Sequence, residues 1–227
     1  MRTLRILALL LTLSSLAAVA GIDAIAPKDS VSALKTALNQ GATRAVAQLG
    51  AADGFLRNPK VKIPLPPALK KADKALRMVG MGGQADDLVI AMNRAAEAAV
   101  PEAKTLLVDA VKQMSLDDAR QILAGGDDAA TQYFRKVSYD RLQQRFLPIV
   151  KQKTDRAQLA QQYNQLAGQA AQFGLVEAKD ANVESYVTRK ALDGLYLMIA
   201  DEERAIRRNP LGQSSRILQS VFGALNL

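Results

Sequence analysis

The 227-residue chain contains no cysteine, no histidine and no tryptophan. Without cysteine it cannot form a disulfide, a thiolate zinc site or a cysteine nucleophile. Without histidine it has no histidine-based catalytic triad and no imidazole base that titrates near neutral pH. These absences exclude thiol enzymes, thiolate zinc proteins and hydrolases built on a histidine triad from the candidate functions.

Long apolar runs are also scarce, and the clearest one lies at the start of the chain. Arg2 and Arg5 precede or begin an apolar stretch that continues to Ala20, where Ala18-Val19-Ala20 has the small-x-small form of a signal peptidase site. This stretch is shorter and more broken than the about 20 apolar residues that span a bilayer. We therefore predict a cleaved signal peptide at residues 1–20 and a periplasmic location, with an uncleaved anchor as the alternative.

Cleavage after Ala20 leaves 207 residues and lowers the formal net charge from +8 to +6, because Arg2 and Arg5 are removed. Apolar residues make up 49% and charged residues 23% of the chain, which is the composition of a folded globular protein. No later segment is apolar enough to span a bilayer, so we expect no transmembrane span in the mature form.

The rest of the sequence favours helices, because alanine is abundant and runs of β-branched residues are few. Apolar residues recur at spacings of three and four in successive segments, the first of them from about Ser30 to Leu49. We predict a single all-α domain at residues 29–227, a helical bundle of about seven to nine helices that follows an N-terminal linker at residues 21–28.

Local signals mark the ends of several predicted helices. Pro67 and Pro101 suit the first turn of a helix, and Ser115 with Asp118 three residues later forms a capping box. A last amphipathic helix is predicted over about 217–225.

The segment from Gly50 to Pro67 departs from the helical pattern and holds four of the eight prolines. Apolar residues alternate with other residues over Val61–Leu65, which is the period of an extended chain. The prolines deny this segment a complete ladder of backbone hydrogen bonds. We predict an extended proline-rich strap that lies over the helices and is not part of a sheet.

Basic residues are concentrated at this strap and just after it. The segment from Asp53 to Arg77 contains seven basic and two acidic residues. One interpretation is that Arg57, Lys60 and Lys62 dock on anionic lipid, lipopolysaccharide or cell-wall phosphate. The other is that they form a solvated face whose charge is balanced by acidic residues elsewhere in the fold.

Asn93 and Glu97 lie four residues apart and therefore share a helix face, with Arg94 three residues before Glu97. The alanines around them allow another backbone to approach closely. Such a group lines a ligand pocket or forms a buried polar tie, because buried polar groups need partners. We prefer the tie and keep all three residues as binding candidates.

Asp127 and Asp128 follow two glycines and precede a predicted helix. A carboxylate at this position accepts backbone N–H bonds and faces the positive end of the helix dipole, so we predict a helix cap. The alternative is a Ca²⁺ site, but the spacing does not match the loop of an EF-hand. No metal is therefore assigned.

Two further carboxylates stand out in the C-terminal part of the chain. Asp193 lies within the apolar run Ala191–Ala200, so we predict a buried acid. It either pairs with a basic residue of a neighbouring helix or lines a cavity with a perturbed pKa. Glu203 and Arg207 lie four residues apart and are predicted to form a pair on the surface.

Several short phrases follow one another along almost the whole predicted mature chain. They are Asp53-Gly54-Phe55-Leu56, Val61-Lys62-Ile63-Pro64-Leu65-Pro66, Met92-Asn93-Arg94-Ala95-Ala96-Glu97, Asp127-Asp128-Ala129-Ala130-Thr131-Gln132-Tyr133-Phe134, Tyr186-Val187-Thr188, Ala191-Leu192-Asp193-Gly194-Leu195 and Ile206-Arg207-Arg208-Asn209-Pro210. Together they resemble the bacterial family catalogued as domain of unknown function 4197. The resemblance implies an exported helical protein and transfers no catalytic residue. Tyr133, in the fourth phrase, is a further binding candidate.

These observations favour a non-enzymatic periplasmic binding or interaction protein for an amphipathic small molecule or an anionic envelope component. The alternative is a carboxylate-dependent hydrolase that uses Glu97, Asp127, Asp128 or Asp193, and a third possibility is a structural partner without a ligand. An apolar tunnel would favour a carrier, and carboxylates that converge in a cleft would favour an enzyme. No nucleic acid and no cofactor are expected, and the sequence leaves the oligomeric state open.

Overall fold

A computed structural model describes residues 27–80, 82–172, 177 and 181–208. These residues form eight α-helices and one 3₁₀ turn, and they contain no β-strand. The prediction of a single all-α domain is confirmed, and the number of helices in this part of the chain agrees with the predicted seven to nine. The elements are α1 (Pro27–Gly50), α2 (Pro67–Met78), α3 (Gly82–Ala99), the 3₁₀ turn (Val100–Glu102), α4 (Ala103–Gln113), α5 (Leu116–Ala124), α6 (Ala129–Thr154), α7 (Gln158–Gln172) and α8 (Val183–Arg208).

Two predicted segments lie outside the described residues, namely the signal peptide at 1–20 and the last amphipathic helix at 217–225. In the described residues, α1 begins at Pro27, two residues before the predicted start of the helical domain at residue 29. Among the described helices, none is both long and apolar enough to cross a membrane.

The two longest helices, α6 and α8, form the centre of the bundle. They pack against each other, and α6 also packs against α3 while α8 packs against α1. Several alanines of α3 have no exposed surface, and their small side chains allow neighbouring helices to pack closely against α3. The largest fully buried side chains are those of Tyr196, Phe55, Phe134, Phe146, Leu34, Leu49, Ile63, Leu88, Met92, Leu107, Leu142 and Leu192.

The helix ends follow the local signals of the sequence at several positions. The Asp118 N–H donates to Ser115 Oγ at 3.0 Å, and the Ser115 N–H donates to Asp118 Oδ2 at 3.0 Å, so the predicted capping box is confirmed. Hydrogen bonds from Ser115 hold the pKa of Asp118 below its usual value. Pro67 is the first residue of α2, and Pro101 lies in the 3₁₀ turn that leads into α4.

Candidate functional site

A strap of non-helical backbone, residues 51–66, connects α1 to α2. Its first part is formed mainly by turns, and residues 62–66 are extended. Val61, Ile63 and Leu65 are buried while Lys62 and Pro64 are exposed, so the predicted alternation is confirmed. Because the extended residues belong to no sheet, their buried backbone groups need side-chain partners.

Asn93 of α3 is the partner of Ile63 in the strap. Its Oδ1 accepts from the Ile63 N–H at 2.8 Å, and its Nδ2 donates to the Ile63 carbonyl at 2.9 Å. The same Nδ2 donates to the Val89 carbonyl at 2.7 Å. Asn93 is fully buried, and its amide faces both backbone groups of one residue as a neighbouring strand would. These hydrogen bonds make Asn93 a buried tie between the strap and α3.

Glu97, one turn further along α3, holds the first part of the strap. Its Oε1 accepts from the N–H groups of Phe55 at 3.0 Å and Leu56 at 3.1 Å. Its Oε2 accepts from Arg94 at 2.7 Å, and Arg94 also donates to Asp53 at 2.7 Å. Both carboxylates raise the pKa of Arg94, and the hydrogen bond to Glu97 has the larger effect. Asp53 has φ +67°, in the left-handed region, so the network is anchored at a tight turn.

Helix α8 holds the other side of the strap. The Tyr186 hydroxyl donates to the Pro64 carbonyl at 3.1 Å. Gly194 leaves room for the strap, because a Cβ placed on it would lie 2.8 Å from Phe55 Cε1 and 3.2 Å from Val61 Cβ. The strap is therefore fixed between α3 and α8.

An open cleft of about 480 Å³ lies beside the turns of the strap and is lined in part by Arg57 and Lys60. Arg57 pairs with Asp53 at 3.4 Å, and Lys60 pairs with Asp201 of α8 at 2.7 Å. The hydrogen bond from Lys60 holds the pKa of Asp201 below its usual value. Because both cations already face a carboxylate, the cleft offers an anionic ligand less positive charge than the sequence indicates.

Within the basic segment 53–77, the residues that form no ion pair with the described residues lie mainly on α2. They are Lys62 of the strap and Lys70, Lys71 and Lys74 of α2, all exposed. Lys74 lies four residues after Lys70 and three after Lys71, so it is a neighbour of both on one side of the helix, which we call the lysine face. Arg77 is not part of this face, because it pairs with Asp73 at 3.2 Å and with Asp86 of α3 at 2.7 Å.

Helix α2 ends in an apolar tip formed by Met78 and Val79, which are 80% and 71% exposed. Met78 lies four residues after Lys74 and therefore continues the lysine face. Gly80, with φ +80°, turns the chain directly after the tip. Sequence analysis missed this tip, although the two apolar residues directly before a glycine were the available signal.

Glu203 of α8 caps the N-terminus of α6, so the prediction that Asp127 or Asp128 does so is wrong. The N–H groups of Ala130 and Thr131 donate to Glu203 at 3.0 and 2.9 Å. Asp128 occupies the N-cap position, but its side chain accepts no hydrogen bond from the backbone of the helix. Asp127 is exposed. A carboxylate from a distant part of the chain thus occupies the position that local rules assign to the preceding residue.

The pair of Glu203 and Arg207, predicted at the surface, lies largely inside the fold. Its charged groups are 2.9 Å apart, and the two side chains are 5% and 12% exposed. The Thr131 hydroxyl also donates to Glu203 at 2.9 Å. Burial follows from the capping role, because the carboxylate must reach the helix end that packs against α8.

Asp193 is not buried, contrary to the prediction. Its side chain is 43% exposed, although Leu192 and Gly194 on either side are buried. The expected partner from a neighbouring helix is present, since Arg135 of α6 lies 3.5 Å away. Arg135 also stacks on the ring of Tyr196 at 4.8 Å. The apolar stretch of α8 therefore has one polar edge, beside α6.

Tyr133 lies at a groove of about 420 Å³ between α5 and α6, with Asp118 and Lys136. Its hydroxyl donates to the Ala110 carbonyl at 2.9 Å. Burial raises the pKa of Tyr133. The hydroxyl is thus committed to a backbone contact with α4, and Asp118 to the capping box of α5.

Three observations on the described residues bear on the choice between a carrier and a catalytic cleft. The apolar cavity lined by Leu34 and Ile206 has about 10 Å³, which is less than a lipid chain requires. Both oxygens of Glu97 are hydrogen-bonded, and Asp193 faces Arg135. In the described part of the chain, no group of three or more acidic residues is placed to hold a metal ion.

The family model described as "Protein of unknown function (DUF4197)" matches residues 24–223. No curated protein and no solved structure matches the chain.

Proposed function

The chain belongs to the DUF4197 family of proteins of unknown function, and we propose that it is a non-enzymatic interaction protein that docks on an anionic component of the bacterial envelope. The observation that carries this proposal is the lysine face of α2. Lys70, Lys71 and Lys74 are exposed neighbours on one helix surface and form no ion pair with the described residues.

The export that the N-terminal sequence predicts favours an envelope partner over a nucleic acid. Arg2 and Arg5, the apolar run after them and the Ala18-Val19-Ala20 sequence are typical of a cleaved signal peptide. We therefore propose a periplasmic location, where the accessible polyanions are phosphate-bearing lipids and polymers. The mass of the protein purified from the periplasm tests this point, since cleavage after Ala20 removes 20 residues.

The carboxylates offer less support for a hydrolase. Glu97 holds two backbone N–H groups of the strap, and Glu203 holds two at the start of α6. A general acid or base must reach a substrate proton, and these carboxylates are occupied by the fold. The strap itself is a supporting element, because it links α1 to α2 and fixes where α2 begins.

Vesicle co-sedimentation tests the proposal with the protein purified from the periplasm. We expect binding to phosphatidylcholine vesicles that contain phosphatidylglycerol, no binding to pure phosphatidylcholine, and loss of binding at high salt, which screens exposed charges. Each lysine near an anionic surface contributes about a fivefold increase in binding. The variant K70E/K71E/K74E should therefore bind anionic vesicles at least about a hundredfold more weakly than the wild type.

A matched variant controls for net charge. Lys104 of α4, Lys153 of α6 and Arg156 directly after α6 are exposed, so K104E/K153E/R156E makes the same charge change elsewhere on the molecule. Because Glu and Lys have similar helix propensities, both variants should fold. An equal loss of binding in the two variants would overturn the proposal. So would a wild-type protein that binds neither anionic vesicles nor soluble polyphosphate.

A further inference from the structure

The end of α2 combines the lysine face with exposed apolar side chains, which phosphate binding alone does not explain. Met78 and Val79 are the two most exposed large apolar residues of the described chain. Contiguous exposed apolar side chains beside charged ones are a feature of sites that contact membranes or other proteins. Lysines beside them add the charge that an anionic lipid surface attracts.

We infer that the apolar tip, Met78 and Val79, inserts into an anionic lipid bilayer while Lys70, Lys71 and Lys74 bind the phosphates at its surface. This inference rests on the proposed docking function and names its partner as a bilayer. A soluble phosphate polymer would satisfy the lysines and leave the tip in water.

The dimensions of α2 suit this arrangement. Four residues separate Lys74 from Met78, which is about 6 Å along a helix. With the axis of α2 along the bilayer normal and Lys74 at the level of the phosphates, the tip lies about 6 Å deeper, within the about 5–10 Å depth at which apolar faces of interfacial helices are buried. The long aliphatic stems of the lysines extend over apolar surface while their ammonium groups stay in water.

The acidic residues near α2 offset part of the positive charge of the lysine face. Asp73 and Asp86 both pair with Arg77, whose one positive charge balances one of these two carboxylates, and the hydrogen bond from Arg77 lowers the pKa of Asp86. Asp87 of α3 is exposed and forms no ion pair with the described residues. The three lysines thus outnumber the two carboxylate charges that Arg77 leaves unbalanced, and D87N should bind anionic vesicles more tightly by a few fold.

The absence of cysteine makes the insertion directly measurable. A single cysteine introduced as M78C carries a unique environment-sensitive fluorophore on the full protein, and L116C carries the same label at another exposed apolar residue, 57% exposed and located on α5. We expect a blue shift, and quenching by lipids that carry a spin label in the acyl chain, for M78C with phosphatidylglycerol vesicles. The label at L116C should report no change.

A pair of apolar-to-polar variants measures the energetic effect. M78S/V79S should bind anionic vesicles at least about tenfold more weakly, since burial of one large apolar side chain contributes about 1.5–3 kcal/mol. Its binding to soluble polyphosphate should equal that of the wild type. The control L116S/L147S alters two exposed apolar residues on other helices and should leave both affinities unchanged.

The possible results separate this inference from the docking proposal. Vesicle binding that depends on the lysines, with no spectral change at M78C and no loss in M78S/V79S, overturns insertion and leaves docking intact. Binding to polyphosphate with none to vesicles identifies a polymer as the partner and also overturns insertion. Binding to neither overturns both proposals.

Discussion

The contact between the strap and α8 predicts that the same substitution has opposite effects at two helical glycines. Gly194 of α8 faces the strap, and an added Cβ would lie 2.8 Å from the ring of Phe55. Phe55 is fully buried, and its N–H is held by Glu97, so the ring has little freedom to move away. Gly168 of α7 has no atom within 4 Å of the position where a Cβ would stand.

The expected magnitudes follow from two terms. Replacement of a helical glycine by alanine adds about 0.5–1 kcal/mol to the free energy of unfolding through backbone entropy and propensity. An extra methyl group in a packed site costs about 1–3 kcal/mol. Gly168→Ala should therefore stabilise the protein by up to about 1 kcal/mol, and Gly194→Ala should destabilise it by about 1–2 kcal/mol.

Urea denaturation followed by far-ultraviolet circular dichroism measures both variants against the wild type. We expect the two midpoints to move in opposite directions with an unchanged dependence on urea, because neither substitution alters the surface exposed on unfolding. A Gly194→Ala variant that is as stable as Gly168→Ala would refute the close approach of the strap to α8.

Three further predictions concern buried polar groups. Glu97→Ala leaves the N–H groups of Phe55 and Leu56 without an acceptor and should lower the free energy of unfolding by about 2–4 kcal/mol, with faster hydrogen exchange in the strap. Glu203→Ala uncaps α6 and leaves Arg207 without this carboxylate, so we expect a loss of at least about 2 kcal/mol. Burial raises the pKa of Tyr196 to about 12. The folded state therefore favours the neutral phenol, whose contribution is complete below pH 10 and is lost as the pH rises to about 12.

Neighbouring residues supply the controls. Glu102→Ala and Glu202→Ala remove carboxylates from more exposed ion pairs of 4.0 and 3.6 Å, so each should cost less than about 1 kcal/mol. If Glu97→Ala or Glu203→Ala is no more destabilising than its control, the assigned hydrogen bonds are not stabilising. The control for Tyr196 is the variant Y196F, which has no hydroxyl to ionise. If Y196F loses as much stability as the wild type when the pH rises from 10 to about 12, the role of Tyr196 is contradicted.

Features that depend on nearby residues could be predicted from the sequence. The capping box at Ser115 needs only a residue three positions away, and the alternation over Val61–Leu65 needs only that one side of the strap be buried. The tie formed by Asn93 was favoured for the same kind of reason, because a polar residue among buried alanines must find a partner. The identity of that partner, Ile63, required the fold.

Features that depend on distant residues could not be predicted. Asp128 satisfies the local rule for a cap, but Glu203 reaches the same N–H groups from 72 and 73 residues away. The basic segment has the same limitation, because Asp201, which neutralises Lys60, lies 141 residues further along the chain. The excess of positive charge over residues 53–77 was visible in the sequence, and only the fold showed that the lysines of α2 are among the cations of this segment left without an ion pair.

The way in which the strap is held also sets when it can take its place during folding. Its side-chain partners on α3 and α8 lie 30 to 141 residues later in the chain, from Asn93 for Ile63 to Asp201 for Lys60. A newly made chain that ends before α8 therefore lacks half of these contacts, and closing such long loops precedes any gain from them. We therefore expect the strap to dock late in folding, and this docking fixes the connection between α1 and α2 across the assembled bundle.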